Sequence, residues 1–287
     1  MKKLLIICGL LLGMTSAQAQ EWNEWNKKNI FEHVGIGVGV GFSGITIDLG
    51  TDVTDYLTIR GGMDIFPKIK ADFDVNTGFE SSLSGNVPSG YNIPKDKITI
   101  TGKTSLGAGH LLFDIHPFKT AFRITTGFYF ASDKIITIEN KDDADLLGVA
   151  QWNADVYPTV NTSKPGLAAL ASLNGGSLPR VGIEMGDYFL APDNNGHVEA
   201  FIKVNSVRPY VGLGFGRMVP KNTRLTCNVD LGVQFWGTPK VYLNGIDGEK
   251  ELDKADIEDG DGSKALDIMS KITVYPQLTV RLVGRIF

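Results

Sequence analysis

The sequence predicts an all-β protein, a transmembrane antiparallel β-barrel, on three observations. Side chains alternate with period two over long runs, the connections between those runs are sorted by length, and the chain opens with a secretory leader. The clearest run is Ser105 to Ala131, SLGAGHLLFDIHPFKTAFRITTGFYFA. Phe122, Ile124, Thr126, Phe128 and Phe130 fall on one face, and Arg123, Thr125, Gly127 and Tyr129 on the other. Before the His-Pro-Phe-Lys-Thr turn, Leu111, Phe113 and Ile115 oppose His110, Leu112 and Asp114. Period two is the signature of a strand, whose successive side chains point to opposite faces.

A soluble sandwich also alternates, but it hides its apolar face, whereas a barrel in lipid turns it outward. Connection length separates the two. Short turns at 51–55, 116–119 and 218–222 alternate with long connections at 72–96, 139–195 and 244–271. Membrane barrels sort their loops in this way by side. The count this supports is eight strands, or ten if 180–190 and a neighbour form another hairpin.

Residues 1–19 read as a signal peptide: Lys2 and Lys3, the apolar run from Leu4 to Gly13, then the small-x-small site Ala17-Gln18-Ala19. That run is well short of the roughly 20 residues of a spanning helix. Cys8 lies inside the run rather than at its end, which excludes a lipoprotein site. Residues 20–32 form an N-terminal tail whose EWNEWNKKN stretch suits either a membrane interface or an unstructured segment. The barrel domain is expected over 33–287.

Within it, HVGIGVGVGFSGITIDLG (33–50) reads as two short strands turning at Phe42-Ser43-Gly44, or as one kinked strand. Residues 56–66 form a strand with Leu57, Ile59, Met63 and Ile65 opposite Thr58, Arg60 and Asp64. Residues 97–104 lead into the central hairpin, and 135–138 extend its second strand beyond the membrane zone. The segment 139–195 is a long loop with a helical piece at 167–173 and an extra strand at 180–190. Alternation resumes over 198–216 and 225–235, and the chain closes with 272–287 after an acidic, partly helical loop.

With the polar faces inside, Asp48, Arg60, Asp64, Asp114, Arg123, Arg208, Asp230 and Arg281 all point into the lumen. An eight-stranded barrel is only just wide enough for its side chains to fill it. Charges buried there must pair. The expectation is a side-chain-plugged lumen, the alternative a narrow pore or carrier for small solutes lined by the arginines. No catalytic residues are expected. His116 lies in a short turn, His33 and His197 are isolated, and His110 has no serine at a suitable spacing. The histidines and Cys227 show no metal-ligand spacing, and no cofactor is implied. Gly35-x-Gly37-x-Gly39 lacks the βαβ setting of a nucleotide loop. In the acidic stretch 253–267, Lys264 stands where a calcium loop needs glycine. A net charge of -4 carries no nucleic-acid signal.

Three segments carry a resemblance: Leu111-Leu112-Phe113-Asp114-Ile115-His116-Pro117-Phe118, Arg208-Pro209-Tyr210-Val211-Gly212-Leu213-Gly214, and Tyr275-Pro276-Gln277-Leu278. Together they resemble small Gram-negative outer-membrane barrels of the OmpX/OmpW-like kind. Phe287, at the end of an alternating strand, resembles the assembly signal of such barrels. The resemblance implies the outer membrane as location, outer-membrane lipid and the barrel-assembly machinery as partners, and no assigned activity or extracellular ligand. Arg285 departs from the signal, because an aromatic or apolar residue usually stands there; either a bulge near Gly284 restores the phase of Phe287 or Phe287 faces inward.

Overall fold

The computed structural model describes residues 33–77, 90–92, 97–157, 159–185, 188–252 and 261–286. The expected signal peptide, the tail and Phe287 lie outside the described residues. Sixteen strands are described. Eight close a barrel: β1 (Val34–Gly41), β2 (Gly44–Thr54), β3 (Leu57–Ile65), β6 (Ala108–Ile115), β7 (Phe122–Ala131), β12 (Val207–Phe215), β13 (Leu225–Phe235) and β16 (Val274–Arg285). Every pairing is antiparallel, and β16 returns to β1 over Gly35↔Arg285 to Gly41↔Thr279, which closes the ring.

The glycine-rich stretch resolves into two strands. Phe42 and Ser43 form a two-residue turn, and Gly44 takes a φ of +96°, the left-handed conformation that short hairpins place on glycine. The extra hairpin expected near 180–190 is β9 (Ile183–Met185) with β10 (Tyr188–Leu190), a separate two-stranded sheet, so the barrel stays at eight. The β16 ladder runs in regular register through Gly284 against both neighbours, without the bulge that would restore the phase of Phe287.

The long connections all leave one end of the barrel, here called the upper end, and they are folded. β4 (Lys70–Asn76), β5 (Lys97–Thr104), β8 (Lys134–Asn140), β11 (Glu199–Lys203), β14 (Lys240–Gly245) and β15 (Gly248–Leu252) form one six-stranded sheet. Its strands continue the barrel strands upward: β3 into β4, β5 into β6, β7 into β8, β11 into β12 and β13 into β14. Breaks of a few residues separate each pair, so what reads as loop along the chain is a second tier of sheet. Helix α1 (Ala144–Val156) and helix α2 (Pro165–Leu173) bury Leu146, Val149, Trp152, Val156, Leu167 and Ala171 together with Leu178 and Val181, and Ile98 and Val198 of the sheet side pack on them. Trp152 Nε1 donates to the Pro179 carbonyl at 2.9 Å, which pins the helix to the following segment. Helix α3 (Asp261–Lys271) leads back into β16.

Where the tiers meet, Ile135, Val204 and Trp236 form a small core flanked by Leu106, Ile136, Ile202 and Tyr275. Trp236 Nε1 donates to the Ile272 carbonyl at 2.7 Å, and the Tyr275 hydroxyl donates to the Phe42 carbonyl at 2.9 Å. At the lower end, the turn expected at 218–222 is a nine-residue connection, 216–224, that folds inward. Met218 and Val219 are buried inside the lower end of the barrel, with Met218 against Gly35, Gly37 and Gly50.

Candidate functional site: a charged lumen

The two walls of the barrel are opposite in chemistry. Outward rows read Ile36-Val38-Val40, Ile45-Ile47-Leu49, Leu111-Phe113-Ile115, Ile124-Thr126-Phe128-Phe130, Val211-Leu213-Phe215 and Val229-Leu231-Val233-Phe235. No charge interrupts them. Phe215 and Leu231 are more than 60% exposed, at 63% and 62%. The one hydroxyl in these rows, on Thr126, donates to the Tyr210 carbonyl at 3.3 Å.

The inward rows hold the charges. All eight residues expected in the lumen are buried, the most exposed of them, Asp64, at 5%. Seven come together in one network. Arg60 donates to Asp114 at 3.2 Å and to Asp230 at 3.1 Å. Arg123 donates to Asp230 at 2.7 Å, with its Nε 3.5 Å from Asp114. Arg281 bridges Asp230 and Asp48, its Nε lying 2.5 Å from Asp48. Thr125 caps the set by donating to Asp114 at 2.6 Å. Asp230 thus faces three guanidinium groups.

Arg208 stands apart. Its guanidinium donates to the carbonyls of Asn205 at 2.9 Å and Ser132 at 2.7 Å, at the junction with the upper sheet and 5.9 Å from the Trp236 ring centroid. His110 takes the place Arg208 does not fill. Its Nε2 donates to Asp48 at 2.5 Å and its Nδ1 lies 3.7 Å from Asp64, so an imidazole ties Asp64 to the rest. Its ring also packs on Tyr129, 5.0 Å between centroids, and Tyr129 on Tyr210 at 5.4 Å.

Glycines make room for these long side chains. Every inward residue of β1 is glycine, so that strand adds wall and no bulk. A Cβ on Gly37 would stand 2.8 Å from Arg281 Cδ and 3.2 Å from Met218 Cε. The arginine stem and the inward-folded methionine lie against bare backbone there. Below the network, Arg217 donates to the Asp55 carbonyl at 3.1 Å and lies 3.7 Å from Asp52. His116, in the lower turn, donates from Nδ1 to the carbonyls of Thr120 and Phe122 at 3.1 and 3.2 Å. Burial, helped by the Arg217 cation, lowers its pKa to about 4.

Chemically, the arrangement is a cross-link. Four carboxylates, three guanidinium groups and an imidazole join β2, β3, β6, β7, β13 and β16 across the barrel axis. Asp48, Asp114 and Asp230 each contact two or more donors, the condition under which buried charges are tolerable. No cluster of three or more His, Cys, Asp or Glu side chains suited to a metal ion occurs among the described residues.

No protein-family model matches the chain. No curated protein sequence matches it either. Among solved structures, two Acinetobacter baumannii proteins are similar in outline. CarO2 shares 14% identity over 90% of this chain and 100% of its own, with a TM-score of 0.43. CarO shares 13% over 90% of this chain and 99% of its own, with a TM-score of 0.41.

Proposed function

We propose that this chain is an integral barrel of a Gram-negative outer membrane, without catalytic activity, whose lumen is closed by its own side chains and whose upper tier meets the exterior. One observation carries the reading: charge and exposure are inverted between the two walls. In water, these apolar rows around the barrel would form a patch far beyond the few hundred Å² that soluble monomers tolerate. In a bilayer they replace nothing but lipid contact, and a closed barrel leaves no unpaired strand edge in the hydrocarbon. A structural or surface-interaction role follows from the network. Ion-paired side chains span the lumen, and the upper tier with its two helices stands over its mouth.

A non-catalytic role is supported by the histidines. His110 is committed to Asp48, His116 to backbone carbonyls and His197 to Asp143 at 2.9 Å. The pore or carrier reading draws on a different observation. The side-chain amide of Gln277 and the amide oxygen of Gln234, both buried in the upper lumen, find no partner among the described residues. The test is refolding from urea into vesicles of neutral lipid. A folded barrel migrates faster in unheated than in heated SDS gels and keeps its barrel strands from added protease. A chain that folds in buffer without lipid or detergent would refute the membrane reading.

A further inference from the structure

Five consecutive strands of the upper sheet meet the barrel with a lysine at or beside their lower ends: Lys70 on β4, Lys103 on β5, Lys134 on β8, Lys203 on β11 and Lys240 on β14. They share one face. Lys70 pairs across strands with Lys103, Lys134 with Lys203, and Lys203 with Lys240. Like charges directly opposite each other are unfavourable in a sheet, so three such pairs in one row ask for a reason.

Four glutamates of this face lie on the far side of the row from the barrel, while Asp133, 3.9 Å from Lys203, lies on the near side. Lys103 pairs with Glu139, Lys134 with Glu199 at 3.0 Å, Lys203 with Glu249 at 2.5 Å and Lys240 with Glu251 at 2.9 Å. These are partly exposed pairs, of the kind that contributes little and exchanges readily. Lys134 and Lys203 also lie over the Phe201 ring, 3.6 and 5.1 Å from its centroid, which holds their stems along the surface. The lower row is therefore rich in cations, with Glu139, Glu199, Glu249 and Glu251 above it.

Packing shows which way the row looks. Ile136 and Ile202, on the opposite face, join Trp236 and Tyr275 at the lumen mouth. The lysine face thus continues the outer, apolar wall of the barrel. Each lysine lies three to five residues from the last barrel residue of its strand, for example Lys134 from Ala131 and Lys240 from Phe235. At about 3.3 Å per residue that is roughly 10–17 Å along the strand, and less in height above the apolar belt because such strands tilt by about 35–45°. A lysine stem reaches back from there toward the interfacial layer.

Resting on the membrane reading above, we infer that this row binds the phosphate groups of anionic lipid headgroups in the adjoining leaflet. The lysines swing from their glutamates to the phosphates when the barrel is embedded, and the cross-strand repulsion is relieved by a shared anion layer. Charge complementarity selects the occupant: a row of five lysines facing laterally, outnumbering Asp133 on the membrane side, with the four glutamates that pair with it on the far side.

The experiment uses the full chain refolded into detergent micelles and titrated with phosphatidylglycerol or phosphatidylcholine, bound lipid being counted by native mass spectrometry. The wild type is expected to retain phosphatidylglycerol in preference to phosphatidylcholine. K134Q/K203Q should reduce that preference by roughly thirtyfold, two lysines at about 1 kcal/mol each near an anionic layer. The control K97Q/K141Q removes two lysines from the far ends of strands on the same face, whose partners are Asp74 and Asp72. It should leave the preference intact. Equal loss in both variants, or none in either, overturns the proposal. Heat-modifiable gel mobility in neutral vesicles is measured in parallel for all three proteins. If they fold there while the lipid preference is absent, the lysine row fails and the membrane reading stands. If none inserts, both fall.

Discussion

Asp230→Asn is the sharpest perturbation of the lumen. The carboxylate lies between Arg60 at 3.1 Å, Arg123 at 2.7 Å and Arg281, and is 4% exposed. The amide fills the same volume, so no cavity forms. It removes the charge and replaces one acceptor oxygen with a donor that faces guanidinium groups. Breaking a buried pair by removing one partner costs about 3–5 kcal/mol. Asp114 and Asp48 still hold the three arginines in part, which puts the expected loss near the lower figure, about 3 kcal/mol, or roughly a hundredfold in the unfolding equilibrium. The assay is urea unfolding of the refolded barrel in vesicles, followed by tryptophan fluorescence, with the slope against urea checked for constancy. Asp74→Asn is the control, because its partner Lys97 at 2.8 Å is 68% exposed. Such surface pairs contribute about 1 kcal/mol at most. A loss below about 1 kcal/mol at Asp230 would mean that water screens the lumen, and the cross-linked plug would be refuted.

Other substitutions test the walls and the lower end. Ile124→Arg puts a cation on the outward apolar wall, which the proposed function sets in lipid, and should cost about 2–4 kcal/mol there, read by the same unfolding assay. Thr125→Arg should fail too, through a different cause: the site is fully buried against Asp114, so the added bulk overpacks the lumen. Gly37→Val forces Arg281 and Met218 aside and should cost about 1–3 kcal/mol, with Ala milder than Val. His116 gives a pH test. Its folded pKa of about 4 lies below the ordinary 6.5, chiefly because the ring is buried, so the folded state favours the neutral ring. The stability this contributes is complete above pH 6.5 and is lost as pH falls toward 4. His116→Asn, which keeps a donor for the carbonyls and does not titrate, should flatten that part of the wild-type pH profile. An unchanged profile would place His116 in water.

Much of the barrel was legible because period two survives any tertiary context that buries one face. The inward placement of Asp48, Arg60, Asp114 and Arg281 follows from alternation alone. What alternation does not show is register. His110 reads as one inward residue among several, and its partner Asp48 lies 62 positions away. Only the β2–β3–β6 pairing, with Asp48 opposite Gly62 and Gly62 opposite His110, brings them together. Arg208 is the converse case. It shares the inward phase of Tyr210, but it sits at the upper end of β12, where backbone carbonyls are nearer than any of the network's carboxylates. The second tier was hidden by its continuity. KITITGKT and KIITIEN alternate well, yet each is separated from a barrel strand by only a few residues and reads as a lead-in or an extension. Helix α1 left a signal in Leu146, Val149, Trp152, Asn153 and Val156, spaced as one buried helical face. The surrounding prolines and polar residues mask that signal. The inward fold of Met218 and Val219 has no local signature, since the room for it comes from Gly35, Gly37 and Gly50 on other strands.

The central claim is a membrane barrel closed from within, and single-channel recording in a planar bilayer tests it most directly. Protein whose folding has been verified by heat-modifiable mobility is added at increasing amounts, beside a known open barrel as a positive control for insertion. The network predicts silence from the wild type, and the onset of small conductance steps in Asp230→Asn where that variant still folds. Steady ohmic conductance from the folded wild type would contradict the plug and make the lumen arginines the lining of a pore.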